Sequence, residues 1–452
     1  MARLVIVSNR VPAPRPGKQE VAGGLAVALK EALTGRPALW FGWSGHVSPV
    51  AAEPMISKHG DTTFATLDLT EREHRLYYAG FSNATLWPLL HYRVGLTEFR
   101  REELEGYRAV NEKFAQTLLP LLRPDDLIWV HDFHLIPLGA ALRALGATQR
   151  IGFFLHVPFP PAALFDALPQ GNGLLADLGA YDLVGVQTES DAINLRDSMR
   201  DGEKVAVFPI SMDATAFAEG AARSVRRKDA ARLAASLGGR ALILGVDRLD
   251  YSKGLPQRFK GYAALLKRFP QHRNHVTFLQ VAPISRGDVA QYRALKRELD
   301  ELAGRINGEH GDIDWNPIRW ITRGVPRPLL AGFHRLARVG LVTPLRDGMN
   351  LVAKEFIAAQ NPHDPGVLVL SRFAGAAAEL KGAILVNPHD PEEIAEGLHE
   401  ALTMETAEAR MRWATDMETI RENSAARWSA TFIDALTGPQ PALRNCNAAK
   451  RA

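Results

Sequence analysis

Three apolar runs in the second half of the chain end in cations. "ALILGV" (241–246) leads into Asp247, Arg248, Asp250, Lys253 and Gly254. "VTFLQVA" (276–282) leads to Arg286, and "RVGLVT" (338–343) leads to Arg346, Asp347 and Gly348. Arg supplies a planar fork of donors and Lys a compact charge. With a glycine to bend the loop, Arg248 and Lys253 suit a diphosphate. A surface pairing of Arg248 with Asp247 or Asp250 is the competing reading. Beyond Asn350, Leu351, Val352, Phe356 and Ile357 fall at helical spacing, which predicts a helix. Its first N–H groups and positive dipole end favour phosphate. Asp347 would repel phosphate and fits sugar hydroxyls instead. Glu355, one turn into the helix, fits a ribose.

The first half repeats the pattern. "RLVIV" (3–7) runs into Ser8-Asn9-Arg10, "DLIWV" (126–130) into His131-Asp132-Phe133-His134, and "RIGFFL" (150–155) into His156. The His-Asp-Phe-His run has metal-ligand residue types, but strand-end His and Asp more often hydrogen-bond loops or polar ligands. Gly23 and Gly24 precede a helical stretch. They read either as a turn or as a place where backbone approaches phosphate. Tyr77, Tyr78 and Trp87 read as core, or as an aromatic wall for a sugar's apolar face.

These residues need elements to place them. The apolar runs are continuous rather than alternating, so they belong to strands covered on both faces. Helical stretches separate them, which predicts an α/β protein with parallel, doubly wound sheets. Two series of strands predict two such domains, 1–226 and 227–420, meeting near 219–236. Ligands bind beyond the carboxyl ends of such strands. If the two sheets face each other, every group named above lines one cleft. A C-terminal helix (421–437) follows, and the aperiodic tail 438–452 is expected to be disordered.

Composition agrees. At 452 residues, 46% hydrophobic and 23% charged, the chain fits a soluble protein of two domains. A net charge of +4 without a dense basic block argues against nucleic acid. The single cysteine, Cys446, excludes an internal disulfide and a Cys-ligated zinc. No apolar run reaches membrane-spanning length, and the N-terminal one is too short for a signal sequence, so a cytoplasmic location is expected.

From residue 3 to 437 the chain carries, in one order, "VSNR", "GGL", "LWFGWSG", "GFSNATLWPLLHY", "WVHDFHL", "FFLHVPFP", "GVDRLDYSKGL", "QVAPISRGDV", "GRINGEHG" and "VTPLRDGMNLVAKEF". In these it resembles the retaining trehalose-6-phosphate synthases, glycosyltransferase family 20. That family has the GT-B fold of two Rossmann-like domains facing across a cleft. The resemblance implies glucose transfer from UDP-glucose to glucose 6-phosphate, with no cofactor and no metal. Arg248 and Lys253 would clamp the donor diphosphate, with the N–H groups of Leu351 and Val352. Glu355 would hold the ribose, and Asp347, Gly348, Met349 and Asn350 the transferred glucose. Gly23 and Gly24 would close over the donor. Arg10, Tyr78, Asp132 and Arg286 would bind the acceptor, with Arg10 and Arg286 on its phosphate. Trp87 and His156 would shape the cleft between the substrates. Arg248, Lys253, Asp132 and His156 would serve catalysis itself. A homo-oligomer, dimer or tetramer, stays open.

Two positions depart from the family pattern. Val325 replaces a phenylalanine whose backbone meets the uracil, which puts base preference in question. Ser211 replaces a glycine, at a cost of about 1 kcal/mol if φ there is positive. The rival readings are a related synthase with another phosphorylated acceptor, such as a glucosylglycerol-phosphate synthase, and a non-catalytic nucleotide-sugar sensor. Tyr78, Trp87 and Asp132 would discriminate the first. The intact clamp argues against the second.

Overall fold

The structure, a computed structural model, describes residues 2–13, 24–33, 35–50, 53–284 and 290–438. Its first strands are β1 (Leu4–Arg10), β2 (Ala38–Ser48), β3 (Met55–His59), β4 (Thr62–Thr70), β5 (Leu127–His131), β6 (Arg150–Phe154), β7 (Leu183–Val186) and β8 (Val205–Val207). They form one sheet in the order β3-β4-β2-β1-β5-β6-β7-β8. A second sheet contains β9 (Ala241–Val246), β10 (Val276–Val281), β11 (Ile318–Ile321), β12 (Val339–Val342), β13 (Val367–Ser371) and β14 (Ile384–Val386), in the order β11-β10-β9-β12-β13-β14. Every pairing is parallel except β3 with β4. The continuous apolar runs are buried on both faces by flanking helices; β10 is buried along its whole length. Two doubly wound, Rossmann-like units thus face each other.

The hairpin β3–β4 is an addition to the expected strands. Its outer strand is largely exposed, so its sequence carries no apolar pattern to betray it. It extends the sheet edge away from the cleft.

Each sheet has one point where strand order reverses. In the first, β1 stands between β2 and β5; in the second, β9 stands between β10 and β12. Connections leave such a pair toward opposite faces, so a crevice opens beyond the strand ends. Ser8 lies beside His131 in the first pair. Beyond β9 and β12 come the loops holding Arg248 and Asp347.

The units touch in several places. Trp87 Nε1 donates to Asp250 Oδ1 at 3.3 Å, and Arg346 Nη2 to the Tyr92 hydroxyl at 2.7 Å. The helix Thr406–Glu422 breaks after Glu422, and the helix Ala425–Thr437 crosses back to the first sheet. There Phe432 stacks on Trp129 with centroids 4.4 Å apart, and Trp428 packs beside it at 4.8 Å. The expected disorder beyond Gly438 lies outside the described residues, as do Gly23 and Arg286.

Candidate functional site

The donor side is built on the loop after β12. Asn350 takes a left-handed conformation (φ 81°) and caps the helix Leu351–Ala359 by accepting from Ala353 N at 3.3 Å. The cap therefore satisfies the third helical amide. The amides of Leu351 and Val352 carry no hydrogen bond among the described residues, so two N–H groups at the positive end of the dipole face the cleft. Lys253 Nζ lies 2.5 Å from Asp347 Oδ2, and Asn350 Nδ2 donates to the same oxygen at 3.0 Å. Burial pushes the Asp347 carboxyl up, but Lys253 overrides it and holds the group below the usual carboxylate range. Asp347 is thus a fixed anion with a cation at its side.

The turn 347–349 is fastened from beneath. Asp347 N donates to Phe373 O at 3.2 Å, Gly375 N to Asp347 O at 3.1 Å, and Ala376 N to Met349 O at 2.8 Å. A Cβ at Gly375 would collide with the Gly348 carbonyl, and one at Gly348 would collide with the carbonyl of His156 across the cleft. Both glycines are there for close backbone approach. Met349 is buried beneath the turn.

Arg248 is exposed, with its guanidinium 5.4 Å from the Trp87 ring centre. It does not pair with its acidic neighbours. Asp247 is taken by the buried Arg258 at 2.6 Å. Asp250 accepts from Ser252 N at 3.0 Å and from the Tyr292 hydroxyl at 3.1 Å. Trp87 is 5% exposed and lies beneath the Arg248 guanidinium. Val325 is half-buried and lines a groove with Leu233, Leu329 and Phe333.

On the acceptor side, Arg10 stands exposed at the end of β1, 6.0 Å from the Trp43 ring centre. Tyr78 comes from a π-helical segment, His74–Leu86, that turns Tyr77 into the core and Tyr78 toward the cleft. Tyr78 stacks on His134 at 5.9 Å and leans on Trp43 at 5.4 Å. An aromatic wall therefore flanks the Arg10 cation. Asp132 has φ 77° and ψ 163°, a conformation costly for a residue with a Cβ. Its Oδ1 accepts from His156 N at 3.2 Å. The His-Asp-Phe-His groups diverge: His131 turns to His156, and His134 to Tyr78.

The His156 ring is held by two neighbours. Gln187 Oε1 accepts from Ile210 N at 2.9 Å, so its amide nitrogen faces His156 Nδ1 at 3.3 Å. His156 Nε2 then carries the proton and donates to His131 Nδ1 at 3.0 Å. Both ring nitrogens are engaged, and burial presses the pKa down to about 3. The ring is neutral and the residue half-buried, and its backbone meets Asp132 and Gly348. Ser211 is not among the residues with positive φ, so the strain allowed for there is absent.

Glu355 is nearly enclosed, and Arg327 holds it: Nε and Nη2 both donate to Oε1, at 3.2 and 3.0 Å. Arg327 was not legible in the sequence, since a partner 28 positions away leaves no pattern. The place of Trp43 beside Arg10 and Tyr78 escaped notice for the same reason.

A model of glycosyltransferase family 20 matches residues 2–438 of the chain. A trehalose-6-phosphate synthase of Sinorhizobium fredii is 47% identical over 457 residues, covering 97% of this chain and 98% of its own. An α,α-trehalose-phosphate synthase (UDP-forming) from Burkholderia xenovorans, crystallised with glucose-6-phosphate, matches with TM-score 0.94 at 46% identity, over 97% of this chain and 100% of that one. A trehalose-6-phosphate structure from E. coli bound with UDP-2-fluoro glucose matches with TM-score 0.92 at 44% identity, over 97% and 100%.

Proposed function

The chain belongs to glycosyltransferase family 20, and on that premise we propose that it transfers glucose from UDP-glucose to the anomeric hydroxyl of glucose 6-phosphate. The products are α,α-trehalose 6-phosphate and UDP. One observation carries the reading: the two switch points face each other, one bearing Arg248, Lys253 and two open helix amides, the other Arg10 and Asp132, with Tyr78 brought alongside by the π-helical segment. The first set suits a sugar diphosphate and the second a sugar phosphate.

In the reaction, the bond between glucose C1 and the β-phosphate oxygen breaks as the acceptor oxygen bonds to C1. Charge develops on the diphosphate. Arg248, Lys253 and the amides of Leu351 and Val352 are preorganised to meet it, which is the kind of stabilisation that lowers such barriers most. We propose that this set suffices without a metal. We also propose retention, with the leaving phosphate oxygen taking the acceptor's proton on the same face of the sugar. Asp347 and the backbone of 348–350 orient the glucose, and Asp132 orients the acceptor. Every residue assigned belongs to one copy of the chain, so a dimer or tetramer is compatible but not required. No helix of the described residues is long and apolar enough to cross a membrane. Both substrates are charged metabolites, which favours the cytoplasm.

The test is radiolabel transfer from UDP-glucose to glucose 6-phosphate, with the anomeric configuration of the product read by NMR. A labelled α,α-linked disaccharide phosphate is expected. Transfer only to glycerol 3-phosphate would make the chain a related synthase. UDP binding with no transfer to any acceptor would make it a sensor.

A further inference from the structure

We propose that Arg327 is a positioning residue of the donor site: it pins one oxygen of Glu355 so that the other meets the ribose diol, and it ties that grip to the helix joining the two domains. The proposal rests on the donor reading given above. Both of its side-chain hydrogen bonds among the described residues go to a single carboxylate oxygen, Oε1, at 3.0 and 3.2 Å. Oε2 takes no hydrogen bond among the described residues, so its lone pairs are left for a ligand. Two donors converging on one oxygen anchor that oxygen, where a lysine would offer a single compact charge. Burial pushes the Glu355 carboxyl up, and Arg327 opposes this. A protonated Glu355 would make a weaker acceptor for two hydroxyl groups.

Arg327 also has a second neighbour. Its guanidinium lies 5.3 Å from the ring centre of Phe217, on the linking helix Ala214–Ser224. Just before that helix, Asp213 N donates to Glu31 at 3.2 Å, and Glu31 lies on the helix that follows Gly23. Arg327 acts favourably on the charge of Glu31 as well. The ribose grip is thereby set against elements of both domains.

The experiment compares UDP with 2′,3′-dideoxy-UDP by calorimetry in the full-length protein. Wild type should bind UDP about tenfold tighter or more, the loss expected when hydrogen bonds to a charged group are removed. In Arg327→Ala this ratio should fall toward one. The KM for UDP-glucose should rise about tenfold, and the KM for glucose 6-phosphate should stay within about twofold. Arg327→Lys should recover part of the ratio. Glu355→Gln should abolish the ratio, and adding Arg327→Ala to it should change the ratio no further. If Arg327→Ala folds poorly, Arg327→Gln keeps the stem without the charge and is read by the same ratio. An intact ratio in either variant would overturn the proposal. Absence of UDP binding to wild type would instead overturn the donor reading.

Discussion

Arg248 and Lys253 differ in what surrounds them, and so in what their loss should do. Lys253 is already committed to Asp347, so removing it frees a buried anion and disturbs the fold as well as the clamp. Arg248 rests on Trp87 with its donors exposed. Arg248→Ala should therefore be close to neutral for stability, yet lower kcat/KM at least tenfold, about 1.4 kcal/mol. Wild-type turnover with an unchanged circular dichroism spectrum would sink the assignment. The same cations underlie the metal-free proposal: activity should persist in excess chelator, and complete loss restored by a divalent ion would refute it. Residues of this kind were legible because cations at strand ends stand out from apolar runs. His156 was legible as a strand-end group, but its ring partners Gln187 and His131 were not, since no spacing encodes them.

At the level of elements, the strand–turn–helix unit around Asp347 was readable down to its cap, since Asn350 and the helical spacing after it sit in one stretch. The element that holds it was not. The segment 373–376 lies one strand further on and meets the turn through backbone hydrogen bonds alone, which leave no side-chain signature. The fit there is tight enough to test. Gly375→Ala would drive a methyl group into the Gly348 carbonyl. The turn or the loop must then move, at a cost of roughly 1–3 kcal/mol. The expected result is a lower melting temperature together with at least a tenfold weaker KM for UDP-glucose, about 1.4 kcal/mol of donor binding. Unchanged donor affinity in a destabilised variant would show that the loop supports the fold without setting the site. The hairpin β3–β4 and the π-helical turn at His74–Leu86 were missed for different reasons. The first lacks an apolar face on its outer strand. The second resembles an ordinary helix in composition and differs only in winding.

Across the whole molecule, the feature that composition could not foretell is how many histidines are buried uncharged. Burial lowers His91 and His334 to about 4, His156 to about 3, and His131 well below its ordinary value. His91, His131 and His156 lie around the seam between the two units. An unfolded chain protonates each near pH 6.5, whereas the folded chain resists until much lower pH. Between about pH 6.5 and 4 the unfolded state therefore binds more protons, and stability must fall as pH falls. His91, His156 and His334 each contribute a loss on the order of 3 kcal/mol by pH 4, and His131 acts in the same direction. Asp416 works the other way. Burial raises its carboxyl to about 6, so the folded state takes up that proton first, and the group favours folding as pH falls from about 6 to 4. The net prediction is a melting temperature that declines steadily from pH 6.5 to 4.5. His334 allows a clean dissection, since neither of its ring nitrogens has a partner among the described residues and it is 2% exposed. His334→Leu adds a constant offset but removes one titrating proton, so its decline should be shallower than that of wild type. Asp416→Asn removes the opposing group, so its decline should be steeper. A flat profile in wild type, or the same slope in all three proteins, would mean that water reaches these side chains before the fold is lost.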